Sequence, residues 1–304
     1  MDRLPARRGM SKKKPEMSSF EGLWLGPVDE GVYALVRIFF SVVAFFCLCE
    51  LWPYRAAFYS SAGMIDQRAA VGAVHYFYPS LFGIFYSEPA VTGYFIFSAV
   101  AIIFLAIGCL PRLAAFFVFA WFMSCSFRAP VANSGWDLTL RCFAFLILVS
   151  PLGKSWKVGL PWPPPFRSVP NYGITLMRLQ VLVIYWQTDI GRMHDPWWKN
   201  GDFFGYFLLS QFSRWPGLWV LDHLFLMHLI TWATTGVELL LPLLLWFRRT
   251  RWVGITLGCC FHLAIIVVAR NIGLFSLTMM MTYLSFLRDE DVRWVRTRMA
   301  KNEA

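Results

Sequence analysis

Apolar positions in this chain neither alternate with polar ones nor recur as a narrow stripe; they run together in long blocks. Eight blocks stand out, at 31–52, 92–110, 112–128, 138–152, 173–190, 224–247, 252–269 and 272–287. A helix needs about 20 mostly apolar residues to cross the hydrocarbon of a bilayer, so the blocks predict membrane-spanning helices. Between them lie short polar turns and two longer segments, 53–91 and 191–223, dense in aromatic residues, Gly and Pro. Tyr76-Phe77-Tyr78-Pro79 and Trp197-Trp198-Lys199-Asn200-Gly201 typify these segments. Trp and Tyr favour the headgroup layer, which predicts short interfacial helices and re-entrant loops there. The expected fold class is all-α, a polytopic membrane helix bundle of about eight transmembrane helices with interfacial helices and loops on the non-cytoplasmic side.

Composition changes the domain count that length alone would suggest. A soluble chain of 304 residues would divide into two domains, but 58% hydrophobic and 15% charged residues lie far from the roughly 25% charged residues of soluble domains. The chain therefore divides into a basic segment 1–22, a transmembrane domain 23–287 and a tail 288–304. The first apolar block exceeds the h-region of a cleavable signal peptide, roughly 15 residues, and reads as an uncleaved first span. The net charge of +10 would draw nucleic acid if it were clustered. The basic residues are instead scattered, without zinc-finger spacing or a basic helix, which argues against a nucleic-acid partner.

Charge serves topology instead. With the N-terminus inside, eighteen of the 28 Lys and Arg fall on the cytoplasmic side, seven outside, and three (Arg37, Arg141, Arg178) within spans. Excess positive charge marks cytoplasmic loops; the expected location is the cell (inner) membrane, multi-pass, with both termini cytoplasmic. The seven cysteines lie within or at the ends of apolar blocks and read as small apolar filler, with no metal site. Pro161-Trp162-Pro163-Pro164-Pro165 reads as a stiff cytoplasmic connector.

Ionisable residues inside spans cost roughly 2.5–3.5 kcal/mol on insertion scales and need a partner or a wet cavity. Arg37 and Arg178 lie near cytoplasmic span ends, where they either snorkel or pair inside. Asp137 and Arg141, four apart, share a helix face as an ion pair or as a functional carboxylate with its cation. His228, Thr231, Thr235 and Glu238 form one stripe that either lines a cavity or binds neighbouring helices. Gly254, Gly258 and His262, also four apart, put an imidazole on a close-packing face, with Glu238 on the preceding helix as a candidate partner. After the fifth block, Gln187, Asp189, Arg192, His194, Asp195, Trp197, Trp198 and Lys199 gather acid, base and cation at the membrane surface. Such a group either holds a lipid headgroup, moves protons or forms a Trp-anchored loop. Nucleotide-binding, nucleophile-elbow and zincin patterns are absent from the sequence.

Several of these stretches together resemble the horizontally transferred transmembrane (HTTM) family, bacterial relatives of the membrane part of vitamin K-dependent gamma-carboxylase. The residues that carry the resemblance are Asn133-Ser134-Gly135-Trp136-Asp137 with Arg141 and Pro151-Leu152-Gly153; Tyr185 through Arg192 followed by Trp198-Lys199-Asn200-Gly201; Glu238 with Pro242; Arg251; and Gly258 with His262, Phe275 and Tyr283. The resemblance implies a helical bundle with a working face on the non-cytoplasmic side and, as cofactor, reduced vitamin K or another quinone. It also implies departures from the carboxylase. Arg192 stands where the family's usual Lys acts as base, and a guanidinium effectively cannot give up its proton. Asp137 stands where the carboxylase has an active-site His, and the large lumenal substrate-binding region has no counterpart before residue 304.

The function expected is therefore a membrane protein that handles a lipid, quinone or peptide in a cavity, without complete carboxylase machinery. Asp137, Arg141, Asp189, Arg192, Trp197, Trp198, Glu238 and His262 are the ligand-binding candidates, and Arg192, His194, His262 and Glu238 the catalytic ones. Membrane lipids and a quinone or a secreted peptide or protein are the expected partners. Two alternatives remain open: a quinone-coupled enzyme that modifies a secreted peptide, and a non-enzymatic accessory or maturation protein.

Overall fold

A computed structural model describes residues 19–64, 66, 79–152, 156–157 and 167–302. The basic run before residue 19, Tyr76-Phe77-Tyr78 and the Pro161–Pro165 stretch lie outside the described residues. The chain is built from helices: α1 Ser19–Leu25, α2 Glu30–Leu51, α3 Arg55–Tyr59, α4 Glu88–Ile107, α5 Pro111–Arg128, α6 Gly135–Val149, α7 Tyr172–Arg192, α8 Pro196–Asn200, α9 Phe203–Leu209, α10 Leu224–Trp246, α11 Arg251–Val268, α12 Gly273–Thr282 and α13 Asp289–Asn302. A two-stranded antiparallel ribbon joins β1 (Pro27–Asp29) to β2 (Ser168–Pro170).

Each of the eight apolar blocks falls on a helix, with α12 extended by a 3₁₀ turn over Tyr283–Phe286. Among the described residues, four segments are long and apolar enough to cross a membrane: Glu30–Tyr59, Glu88–Ile107, Leu218–Trp246 and Arg251–Val268. The two long aromatic-rich segments hold short helices, as their composition suggests: α3 and a 3₁₀ turn at Leu81–Gly83 in the first, α8, α9 and a 3₁₀ turn at Leu218–His223 in the second.

Helix starts follow local chemistry. Asp29 caps α2 by accepting a hydrogen bond from Gly31 N (2.8 Å). Ser134 and Asp137 form a reciprocal capping box at the start of α6, which satisfies two backbone donors that a helix N-terminus leaves open. Helix α2 packs on α4 and α12, α5 on α4 and α6, and α10 on α7 and α11. One buried cluster joins them, with Phe40, Phe95, Trp121, Phe143, Met177 and Met279 among its members. Large apolar side chains also point outward, such as Phe46, Ile103, Leu240 and Val267, as expected when the solvent of the outer surface is lipid.

The two ends of the bundle are tied differently. At one end Asp29, fully buried, takes both Arg296 nitrogens at 2.6 Å, and Arg178 donates to the carbonyls of Ser285 and Leu287. Arg37 donates to Trp156 O. Both span arginines thus make interior hydrogen bonds. The segment after residue 287, read from sequence as a tail, is largely helix α13, joined to α2 by the Asp29–Arg296 pair and to α11 by Arg251–Asp291 (3.1 Å). At the other end Arg128 donates to Ser60 O, and Ser213 bridges Ala269.

Candidate functional site

The C-terminal end of α7 brings the strongest constellation together. Arg192, in the last turn of α7, where a cation complements the helix dipole, pairs with Glu238 in the middle of α10. Asp189, one turn earlier and fully buried, lies 3.8 Å from the same guanidinium. Two carboxylates therefore share one arginine. Its remaining face lies over the indole of Trp198, 3.9 Å from the ring centroid, and Trp198 stacks on Phe203 at 4.0 Å. The stack depends on a tight turn: Asp195 caps α8 through Trp197 N, and Gly201 ends it at φ +89°. A side chain at 201 would also meet His228 Cα at 3.0 Å, so glycine lets this loop lie against α10.

Arg192, Trp198, Thr231 and Glu238 form the polar and aromatic rim of a cavity of about 470 Å³. Apart from Thr234 its other walls are apolar, chiefly Phe204, Phe207, Ile265 and Phe275 from α9, α11 and α12. Thr231 is held by Phe204 N, which donates to its hydroxyl. A concave, mostly apolar space with a few convergent polar groups is the usual form of a small-molecule site.

Behind this wall lies a second polar group. His262, 1% exposed on α11, contacts the edges of Phe261 and Phe275, both of which line the cavity. Its Nε2 is 2.9 Å from Tyr185 Oη, which is 2.5 Å from Tyr283 Oη. Tyr283 has no other hydrogen-bond partner among the described residues. Both phenol protons find acceptors if Tyr283 donates to Tyr185 and Tyr185 donates to Nε2. That order places the imidazole proton on Nδ1, which finds no acceptor among the described residues. Gly258 makes the contact possible, since a Cβ there would come within 2.7 Å of the Tyr283 ring.

The sequence candidates thus separate. Asp189, Arg192, Trp198 and Glu238 converge, and His262 sits beside them. The Glu238 partner is Arg192 rather than His262, which turns instead to Tyr185. The polar stripe on α10 also divides: Thr231 and Glu238 line the cavity, while His228 turns to Asp202 at 2.9 Å. Asp137 and Arg141 form no ion pair. Asp137 accepts from Ser134 N and from the Cys47 thiol, and Arg141 lies over the Phe127 ring at 5.9 Å. Neither lines the cavity. His194 and Lys199 are exposed, and Trp197 packs on Tyr206 at the surface. Of the cavity's phenylalanine walls, Phe275 is legible only through the family resemblance; Phe204 and Phe207 lie in the aromatic-rich segment 191–223, where nothing in the sequence distinguishes a cavity wall from a membrane-interface ring. Tyr185 and Tyr283 entered the sequence reading only through family resemblance; their hydrogen bond spans ninety-eight positions.

Neither the curated proteins nor the solved structures provide a significant match. A family profile does, and it covers the four apolar membrane-length segments together with every residue of the cavity rim and of the His262 chain. That profile is the HTTM domain, matched over residues 26–291, and the chain belongs to the HTTM family.

Proposed function

We propose that this HTTM membrane protein holds a lipid, quinone or peptide group in the cavity beside Arg192, on the non-cytoplasmic side, without complete carboxylase machinery. The observation behind this reading is the combination of an apolar chamber with one arginine shared by two carboxylates at its rim. The apolar walls suit a hydrocarbon or ring system, while Arg192 offers hydrogen bonds to an acceptor oxygen. Because a guanidinium stays protonated at accessible pH, Arg192 binds and orients; it does not abstract protons. In the same reading all eight apolar helices cross the cell membrane, with both termini in the cytoplasm. The eight apolar blocks of the sequence and the distribution of Lys and Arg between them support that topology.

Native mass spectrometry of gently purified protein, with lipid extraction, tests the assignment. The wild type should retain a small apolar molecule. Ala264→Phe, which fills the chamber from a wall position without touching the ion pair, should lose it, as should Arg192→Ala. A molecule retained equally by Ala264→Phe would place it elsewhere, and bare wild-type protein with a copurified partner chain would favour an accessory role.

One observation favours catalysis as a second reading. The Tyr283–Tyr185–His262 chain is a buried hydrogen-bonded path beside the cavity, of the kind that moves protons. On this reading the protein is an enzyme acting on a membrane quinone or a secreted peptide. Turnover of a copurified quinone that falls in Tyr185→Phe, with ligand retention unchanged, would support it; equal turnover would remove it.

A further inference from the structure

The opposite end of the bundle carries a larger cleft, about 660 Å³, unrelated to Arg192. It opens between the start of α11 and the docked helix α13. Its floor is apolar, from Leu35, Leu287 and Val295, and its walls carry Arg248, Arg251, Glu290 and Asp291. Trp252 and Trp294 flank it with 54% and 59% of their surfaces exposed. Exposed indoles at the end of an apolar bundle belong in the headgroup layer.

Arg251 is the informative group. Its side chain is only 3% exposed, and Nη2 alone meets acids, Asp291 at 3.1 Å and Glu290 at 3.6 Å. Nε and Nη1 find no acceptor among the described residues. Glu290 is shared, since it also takes Arg248 Nη2 at 2.7 Å, and both of those side chains are substantially exposed. The lining balances Arg248 and Arg251 against Glu290 and Asp291, so displacing Glu290 leaves two arginines facing one carboxylate; burial first, and then the repulsion of Arg251 and Arg248, pushes the neighbouring Arg288 guanidinium below its usual range.

We propose that this cleft is a binding site for an anionic phospholipid from the leaflet at this end of the bundle. The phosphate takes the place of Glu290 between Arg248 and Arg251, the glycerol backbone lies between Trp252 and Trp294, and an acyl chain follows Leu35 and Leu287 outward. Basic pockets between membrane helices recognise acidic headgroups in this manner, and arginine suits a phosphate because its planar fork donates two parallel hydrogen bonds. Glu290 is the resident competitor, which gives the site a signature that a purely structural cluster lacks: the two exposed members of the triad should act in opposite directions.

The test is native mass spectrometry of the full chain released from nanodiscs of mixed phosphatidylglycerol and phosphatidylcholine. Wild-type protein should retain phosphatidylglycerol in several-fold excess. Arg248→Gln should reduce that excess several-fold, and Glu290→Gln should raise it; both positions are exposed, and unchanged thermal midpoints would verify the fold. Equal retention of the two lipids by the wild type would overturn the proposal, as would indifference to both substitutions. Displacement of the lipid by glycerol phosphate added in solution would identify a free phosphate ester as the occupant and would equally overturn it.

Discussion

Among the described residues Arg192 is the one cation paired with two buried carboxylates, Glu238 and Asp189. Removing it in Arg192→Ala leaves Glu238 and Asp189, 6% and 0% exposed, without their cation, and breaking a buried pair from one side costs roughly 3–5 kcal/mol. Proton uptake by the carboxylates sets that range as an upper bound. Glu238→Gln should cost less, because Arg192 keeps Asp189, its Trp198 stack and partial access to solvent. Unfolding midpoints in a denaturing-detergent titration should therefore order wild type above Glu238→Gln above Arg192→Ala, and the reverse order of the two variants would contradict the shared-arginine description. Glycines give a second contrast on this scale. Gly258→Ala forces a methyl to within 2.7 Å of Tyr283, and overpacking of this kind costs about 1–3 kcal/mol. Gly236→Ala meets nothing within 4 Å and should be neutral or stabilising by up to about 1 kcal/mol, since alanine is the better helix former. The same titration compares the two.

Helices differ in how much of their role was legible in the sequence. The long apolar blocks marked where the helices lie, because lipid-facing and core-facing positions are both apolar and the run is continuous. The partners of polar residues were less legible. Spacing put Asp137 and Arg141 on one face of α6, yet the carboxylate is taken by the backbone N–H of Ser134, three residues back and 2.7 Å away, before a flexible arginine competes for it. Sequence patterns record neighbours within a helix, whereas Arg192 with Glu238 and His262 with Tyr185 join residues forty-six and seventy-seven positions apart. Asp137 as a capping group makes a definite prediction for α6. Ser134→Ala removes half of the box and should destabilise by about 0.5–2 kcal/mol, and Ser134→Gly by only a few tenths relative to serine. Thermal melts followed by helical circular dichroism would measure both; an equal loss in the two would mean that the Ser134 side chain acts through some contact other than the cap.

At the scale of the whole molecule the question is how helices that hydropathy does not select fit into a bilayer. Among the described residues four segments qualify by length and composition, whereas α6, with 15 residues, spans only about 22 Å at 1.5 Å per residue, and α7 carries Arg178, Asp189 and Arg192. Such helices are admissible in a membrane when neighbours, not lipid, meet their polar side chains. Those partners are in place here: Arg178 binds the carbonyls of Ser285 and Leu287, and Arg192 binds Glu238. Hydropathy measures transfer of an isolated helix into lipid, so it undervalues a helix whose polar groups are satisfied by others in the bundle. The eight-span proposal follows from this argument, and it has a sharp consequence. Reporter fusions or single-cysteine labelling at Lys157 and Thr250 should report the cytoplasm, and those at Val131 and Gly217 the opposite side. If only the four apolar segments crossed, α5, α6, α7 and α12 would lie at a surface. Val131 and Lys157, both between Ile107 and Leu218, would then report the same compartment, a result that charge distribution and the interior pairing of α7 both oppose.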